Sequence, residues 1–384
     1  MLLSVAKKNN SLQRILLGLV LATALTGLGA CAKRKGAVEQ LAKDASPTED
    51  FDGSLTFNSV TLEQANEKGQ LWWKVKAKKA TYSNDKKQAQ IDSPKGELFQ
   101  DGKPIFEISA QTGEVQQDGK KILLKGKIIA TDIRHKLVLR GNELEWRPEE
   151  DLLVVRNKIT GVHQQMQMSA NEARAYSRKR EVELLGQVVA VSQKPDLQMT
   201  TEHLIWQIPQ KRLTSDRPIQ IVRLINNKPT DQALGDQADV NLNTQTALLK
   251  QNAQLLLLSP PMQIASNSLL WNVGAQTVSA DQPVSILNRQ QQMVLTANQG
   301  SFNLKQKTAQ LVGNVQGIGQ RNQSQLRSDT LDWNIITEEF VAQGNVFYRQ
   351  NNPAFNLRGP RAFGKIRDQT VVVSGGRVVT EIIP

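Results

Sequence analysis

Beyond residue 50 the chain repeats itself about every thirty-one residues, and a repeat of that length restricts the fold more than any other feature of the sequence. The segments 139–146, 199–206, 264–271 and 326–333 open on Leu139, Met199, Ile264 and Leu326 and reach Trp146, Trp206, Trp271 and Trp333 seven positions later. Weaker copies begin at Val75, Ile108, Met168, Leu234, Leu295 and Leu357, with Tyr82, Val115, Ala175, Asn241, Phe302 and Gly364 in the seventh place. Successive starts lie 33, 31, 29, 31, 35, 30, 31, 31 and 31 residues apart, which gives ten units. Eighteen residues after the start a second column holds Gly126, Gly186, Gly313, Gly344 and Gly375, with Asn157 in one further unit. Gly and Asn accept backbone angles that other residues avoid, and in strands they mark bends or bulges. A bend at one fixed place per unit lets a strand leave one sheet and join another.

Between the columns, apolar runs broken by the glycine recur, as in 123–129 and 341–347. Turn signals recur as well, at Asn84-Asp85, Asp118-Gly119, Pro148-Glu149 and Asn351-Asn352-Pro353. No stretch after residue 40 sustains a 3.6-residue period, so the units read as β-hairpins. One such hairpin cannot bury a face alone, whereas ten stacked hairpins share a continuous core. The expectation is an all-β, elongated β-jelly-roll or V-shaped prism over residues 52–384. At ~4.8 Å between strands, its length would be on the order of 90 Å.

The N-terminus reads as an export signal over residues 1–30. Lys7, Lys8 and Arg14 precede an apolar stretch from Ile15 to Leu28. Leu28-Gly29-Ala30-Cys31 then resembles a bacterial lipobox, in which the signal is cut before the cysteine and Cys31 is the lipid attachment site. Two other readings stay open: an uncut membrane anchor, and an ordinary buried thiol at Cys31. Residues 31–51 are polar and poor in aromatics, the composition of a flexible tether. The two leading readings place the bulk of the chain in the periplasm, held at the inner membrane by a lipid on Cys31 or by the uncut segment.

Cys31 is the only cysteine, so the chain cannot form an internal disulfide. The net charge is +12, and without the signal's three basic residues 45 basic face 36 acidic residues, or +9. Such a surface suits an anionic partner, which in an exported chain is a lipid headgroup or membrane rather than nucleic acid. The charges look scattered along the sequence and read mainly as a solvated face. His135, His163 and His203 lack metal-ligand spacing and read as surface residues, so no metal site is expected. There is no nucleotide fingerprint and no nucleophile motif, and Gly317-Ile318-Gly319 is a lone fragment; no catalytic residue and no cofactor is expected.

Residues 55–82 carry a more specific signal. An apolar strand with Leu55, Phe57 and Val60 leads to a polar turn at Gly69. Trp73-x-Val75-x-Ala77-x-x-Ala80-x-Tyr82 comes next. This resembles the opening of the LptC family of lipopolysaccharide export proteins, and the later hairpins resemble the wider OstA-type jelly-roll shared with LptA and the N-terminal part of LptD. The array is about twice as long as a typical member, and a lipobox stands where a transmembrane helix is usual. The resemblance implies a passive conduit rather than an enzyme. Lipopolysaccharide would pass from an inner-membrane ABC transporter along an apolar groove to another β-jelly-roll protein, LptA- or LptD-like, joined by strand pairing.

On that reading Trp146, Trp206, Trp271, Phe302 and Trp333 are the candidate lipid-groove residues, with plain core filling as the competing role. Candidate docking edges are Leu55, Phe57 and Val60 at the start and Val371, Val372 and Val373 at the end. Three alternatives remain open: a structural or adhesive scaffold with a filled core, a β-solenoid polysaccharide-active enzyme, and an outer-membrane barrel, against which the irregular alternation speaks.

Overall fold

Burial in the computed structural model alternates along nearly every strand, and the alternation changes phase once per strand. In Leu71–Tyr82, Trp73, Val75 and Ala77 are buried, then Ala80 and Tyr82. The same slip separates Leu139 from Leu144 and Trp146, and Leu326 from Leu331 and Trp333. In a straight strand, residues seven apart point to opposite faces. Here both are buried, so each strand folds across a crease and turns the same apolar side inward on both arms. The spacing Trp-x-Val-x-Ala-x-x-Ala-x-Tyr is this slip written in sequence.

The structure describes residues 48–49, 55–116, 118–226, 228–321, 323–351, 354–376 and 378–382. The signal, Cys31 and nearly all of the 31–51 segment lie outside them. Strand pairing already begins at Thr48–Glu49, opposite Thr56 and Leu55, just before the expected domain start at 52. Thereafter each layer pairs antiparallel with the next, and twenty-one creased layers lead from Leu55–Ala65 to the last layer, formed by Thr370–Ser374 and Val379–Ile382. A single 3-10 turn, Pro148–Glu150, is the only helical element among the described residues.

Two unbroken columns of register partners run through the stack. On the first arm, Ala130 faces Leu139, Leu139 faces Gly161, Gly161 faces Met168, and so on through Met199, Ile264, Leu295 and Leu326 to Leu357. On the second, Tyr82, Val115, Trp146, Ala175, Trp206, Trp271, Phe302, Trp333 and Gly364 occupy alternate places. One expected unit is out of register by a residue. Ala233, not Leu234, pairs with Ile221 and Leu255, and Val240, not Asn241, pairs with Leu213 and Ala247.

The crease is built in two ways. Gly126, Asn157, Gly186, Gly313, Gly344 and Gly375 all have positive φ, and at the first five the register shifts as well. Gln251 and Asn252 do the same in the unit that starts at Leu234, with Asn252 eighteen residues after that start. In three other units the strand breaks at Pro94, Pro218 and Pro283, each nineteen residues after the unit's start. Proline has no N–H to contribute to a ladder and fits where the ladder is interrupted.

The two arms pack on each other through one continuous core. Phe106 of the first arm meets Trp146 of the second edge-on at 6.2 Å, and His163 meets Trp206 at 4.9 Å. His163 is therefore a core residue and not a surface one. Its imidazole pKa is lowered by burial, with a smaller contribution from the neighbouring His135.

Gly313 tests the crease. Its φ is +80°, and a Cβ there would lie 2.8 Å from Asn298 Nδ2. Gly313→Val is expected to destabilise the fold by about 1–3 kcal/mol, and Gly313→Asn by less, because Asn tolerates this region of backbone space. Urea unfolding of both variants checks the order; equal losses would mean that crowding, not backbone geometry, sets the cost.

Candidate functional site: an apolar interior between two free edges

Trp146, Trp206, Trp271, Phe302 and Trp333 all point into the space between the arms and are at most 3 % exposed. They recur on the second arm because each closes an inward-facing pair just before a turn. The residues after each ring are equally regular. Asn241, Asn272, Asn303 and Asn334 each accept backbone N–H groups of the following turn at 2.8–3.1 Å, an Asx-type tie. Asn241 is thus the turn-tying residue of its unit, one place past the column. Next comes a buried aliphatic: Ile208, Leu242, Val273, Leu304 or Ile335. Its backbone N–H donates to the carbonyl of a left-handed residue in the preceding turn, Arg180, Lys211, Gln245, Gln276 or Lys307 respectively. The second arm therefore ends in a continuous rail of stacked turns.

The lips of the two arms are tied by polar contacts at both ends of the stack. The Trp73 indole N–H donates to the Gly119 carbonyl at 2.9 Å, and Gln100 donates to Asp151 at 2.9 Å. Arg134 donates to the Ser177 carbonyl at 3.2 Å, and Arg178 reaches Asp101 at 3.2 Å. Further along, Lys307 donates to the Ser259 carbonyl at 2.7 Å and Gln291 to Glu338 at 2.8 Å. Most of these contacts span about three layers and Arg178 to Asp101 spans five, a stagger consistent with strand twist.

Near the last layers the interior opens into a cavity of about 90 Å³. Met293, Leu295, Leu326 and Tyr348 line it from the first arm, and Leu331, Trp333, Phe340 and Val371 from the second; Arg321 and Lys365 complete the wall. Gly317, like Gly161 a glycine of the first-arm column, takes part in the lining. Trp333 Nε1 is buried without an acceptor among the described residues, as are those of Trp146, Trp206 and Trp271. A buried donor left unpaired costs roughly 1–3 kcal/mol, which the apolar area that each ring buries offsets.

Both ends of the stack present free strand edges among the described residues. At the start, Phe57–Ala65 pairs on one side only; Leu55 is exposed, whereas Phe57 and Val60 are buried in the core. At the end, Thr370–Ser374 pairs only with Ala354–Lys365. Val371 and Val373 pack toward the core and Val372 is 61 % exposed. The C-terminal residues Val379–Ile382 do not cover this edge but extend the last layer onto the first arm, beside Phe355–Arg358.

The family model described as LptC, lipopolysaccharide-assembly, LptC-related, matches residues 19–154, 139–227 and 223–320. Among solved structures, the chain is similar to LptH, the LptA homologous periplasmic component of the lipopolysaccharide transport device from Pseudomonas aeruginosa. The identity is 11 %, the TM-score 0.19, and the match covers 38 % of this chain and 82 % of that one. No curated protein matches.

On the outer face of the middle layers, opposite charges alternate from strand to strand. Glu145 accepts from Arg147 at 2.7 Å, Arg156 at 2.9 Å and Lys121 at 3.0 Å, and Arg156 continues to Glu172 at 2.8 Å. Arg174 links Glu172 to Glu183, and His203 links Glu183 to Asp216. Burial disfavours the Glu145 carboxylate, but the three cationic donors outweigh it and hold the pKa at about 2 instead of 4.5. The resulting stability is present above pH 4.5 and is lost as pH falls toward about 2. Glu145→Gln is expected to cost about 2–3 kcal/mol at pH 7 and to flatten the decline between those two values. Urea midpoints measured across that range check it; an unchanged slope would place the acid sensitivity elsewhere.

Proposed function

The chain belongs to the LptC-related family of lipopolysaccharide-assembly proteins, its role lies in lipopolysaccharide transport, and from this we propose that it is a passive segment of the export path. In this reading an N-terminal anchor, by a lipid on Cys31 or an uncut signal, holds the array in the periplasm at the inner membrane. An ABC transporter delivers lipopolysaccharide to the opening layers. The acyl chains travel between the two arms, and the last layers hand the lipid to another β-jelly-roll protein.

The apolar cavity beside Trp333 is the observation that carries the proposal. It lies between the arms, has an unpaired indole N–H in its wall, and sits next to the free C-terminal edge. An acyl chain is apolar along its length and polar at its head, which suits a wall of Leu, Met, Trp and Phe that ends in Arg321 and Lys365. The close packing around Trp146, Trp206 and Trp271 favours a second reading, in which the middle of the array is a filled spacer.

In-cell photocrosslinking separates the two. A photoreactive residue at Trp333 is expected to capture lipopolysaccharide in the transport reading, and one at Trp206 to do so only if lipid parts the packed middle. Adducts at neither position, in folded protein, would leave the scaffold reading. For docking, prolines at Val371 and Val372 form a pair, because neighbouring N–H groups in a strand point to opposite edges. The variant that removes the outward N–H is expected to keep the melting temperature and lose crosslinks to the next component. Undiminished crosslinks in both would remove this edge as the docking strand.

A further inference from the structure

The basic residues are not scattered once the chain is folded. Residues 55–140 hold 16 basic and 10 acidic residues, against 25 and 21 in residues 141–384. The register then lines up four of these cations beside the crease, with Glu63, Lys74, Glu97 and Glu107 forming the next outward row. Lys76 pairs with Lys95, Lys95 with Ser109, Ser109 with Ile129 and Ile129 with Arg140, in one row across the second to sixth layers. Val75 and Ala77 point into the core, so the row points outward beside the crease. Lys76, Lys95 and Arg140 are exposed, and Ile129 is 41 % exposed between them. Lys127, held at positive φ just after Gly126, adds a further exposed ammonium at the bend.

None of these four cations has a carboxylate partner within ion-pair distance among the described residues, whereas on the middle layers Glu145, Glu172 and Glu183 are each matched by arginines. Like charges directly opposite each other on neighbouring strands are unfavourable. Lys76 opposite Lys95 therefore keeps an unfavourable pair that a glutamate at either place would relieve.

We infer that this face of the opening layers docks on an anionic phospholipid bilayer. The complementarity is a row of unpaired cations with one aliphatic side chain at its centre. Each lysine or arginine near an anionic surface contributes additively to binding, and an exposed isoleucine can enter the headgroup region. Docking there would hold the first layers flat against the membrane that the N-terminal anchor reaches; the inference rests on the periplasmic, membrane-anchored reading above.

Vesicle sedimentation of the full chain tests it, comparing phosphatidylglycerol-containing vesicles with pure phosphatidylcholine. The N-terminal segment carries basic residues of its own, so the patch is read from the change in that ratio between wild type and variant. Wild type is expected to prefer the anionic vesicles by about tenfold or more at low salt, and the preference should fade at high salt. The variant Lys76→Glu, Lys95→Glu, Lys127→Glu is expected to lower the ratio several-fold, while Lys→Arg at the same places retains it. All three side chains are exposed, and an unchanged circular dichroism spectrum confirms that the variant folds. A wild-type ratio near one would overturn the inference. So would an undiminished ratio in the Glu variant. If the ratio is near one and the same patch crosslinks in cells to an acidic protein, the face belongs to that protein instead. A failed lipid preference would leave lipopolysaccharide capture at Trp333 untouched, so the two readings fail separately.

Discussion

The phase slip at the crease is the constraint on which the rest of the structure depends. A unit that presents apolar residues at its start and again seven places later cannot lie flat, because a strand alternates with a period of two. One extra residue at the bend reverses the parity and lets Leu139 and Trp146, or Leu326 and Trp333, face the same interior. The local cost is left-handed backbone, met by Gly where it is available, by Asn157 and Asn252 in two units and by Ser93 beside Pro94, and avoided by a break in the strand at Pro218 and Pro283. The gain is that both arms bury their apolar side, and their union makes one core along the whole array.

Stacking then solves at every turn the problem that a creased sheet creates. The lip between two arms is where water would reach the interior. On the second arm the aliphatic residue after each tying asparagine plugs that lip, and its N–H extends a ladder from turn to turn. On the ends of the stack, polar contacts such as Gln100 to Asp151 and Gln291 to Glu338 cross it. The interior is thus filled and closed over most of its length. The cavity by Trp333 lies where Gly317 adds no side chain to the lining, close to the last of the described layers.

Much of this was legible beforehand. The starts and seventh places mark the two inward columns, and the glycines mark the crease, because backbone geometry and burial restrict residue type strongly at those points. The misplaced unit shows the limit. Leu234 looks like a better column member than Ala233 and puts Asn241 in the seventh place, yet a small residue fits where Ile221 and Leu255 are its partners, Val240 fills the column, and Asn241 has the turn to tie. The Pro column lay in the sequence at a constant offset but carries the opposite chemistry to glycine, so a search for flexible residues passes over it. His163 could not be read as buried without knowing that the stagger of the arms brings it against Trp206. The lysine row is likewise a product of pairing: Lys76, Lys95 and Arg140 are distant in sequence and meet only through the ladder.

The number of layers has a directional consequence. The opening strand Leu55–Ala65 and the last layer both run from the second arm to the first, since an odd number of antiparallel layers separates like from like. Two copies joined head to tail with their arms aligned would set like-running strands side by side, in the parallel pairing that is slightly weaker per residue. Antiparallel continuation requires a neighbour whose first strand runs the other way. Whole hairpins, added or lost, change the length in steps of about 10 Å and never alter this parity. Between the full layers described, head-to-tail growth in aligned register would therefore rely on the weaker pairing, independent of any side chain at either edge.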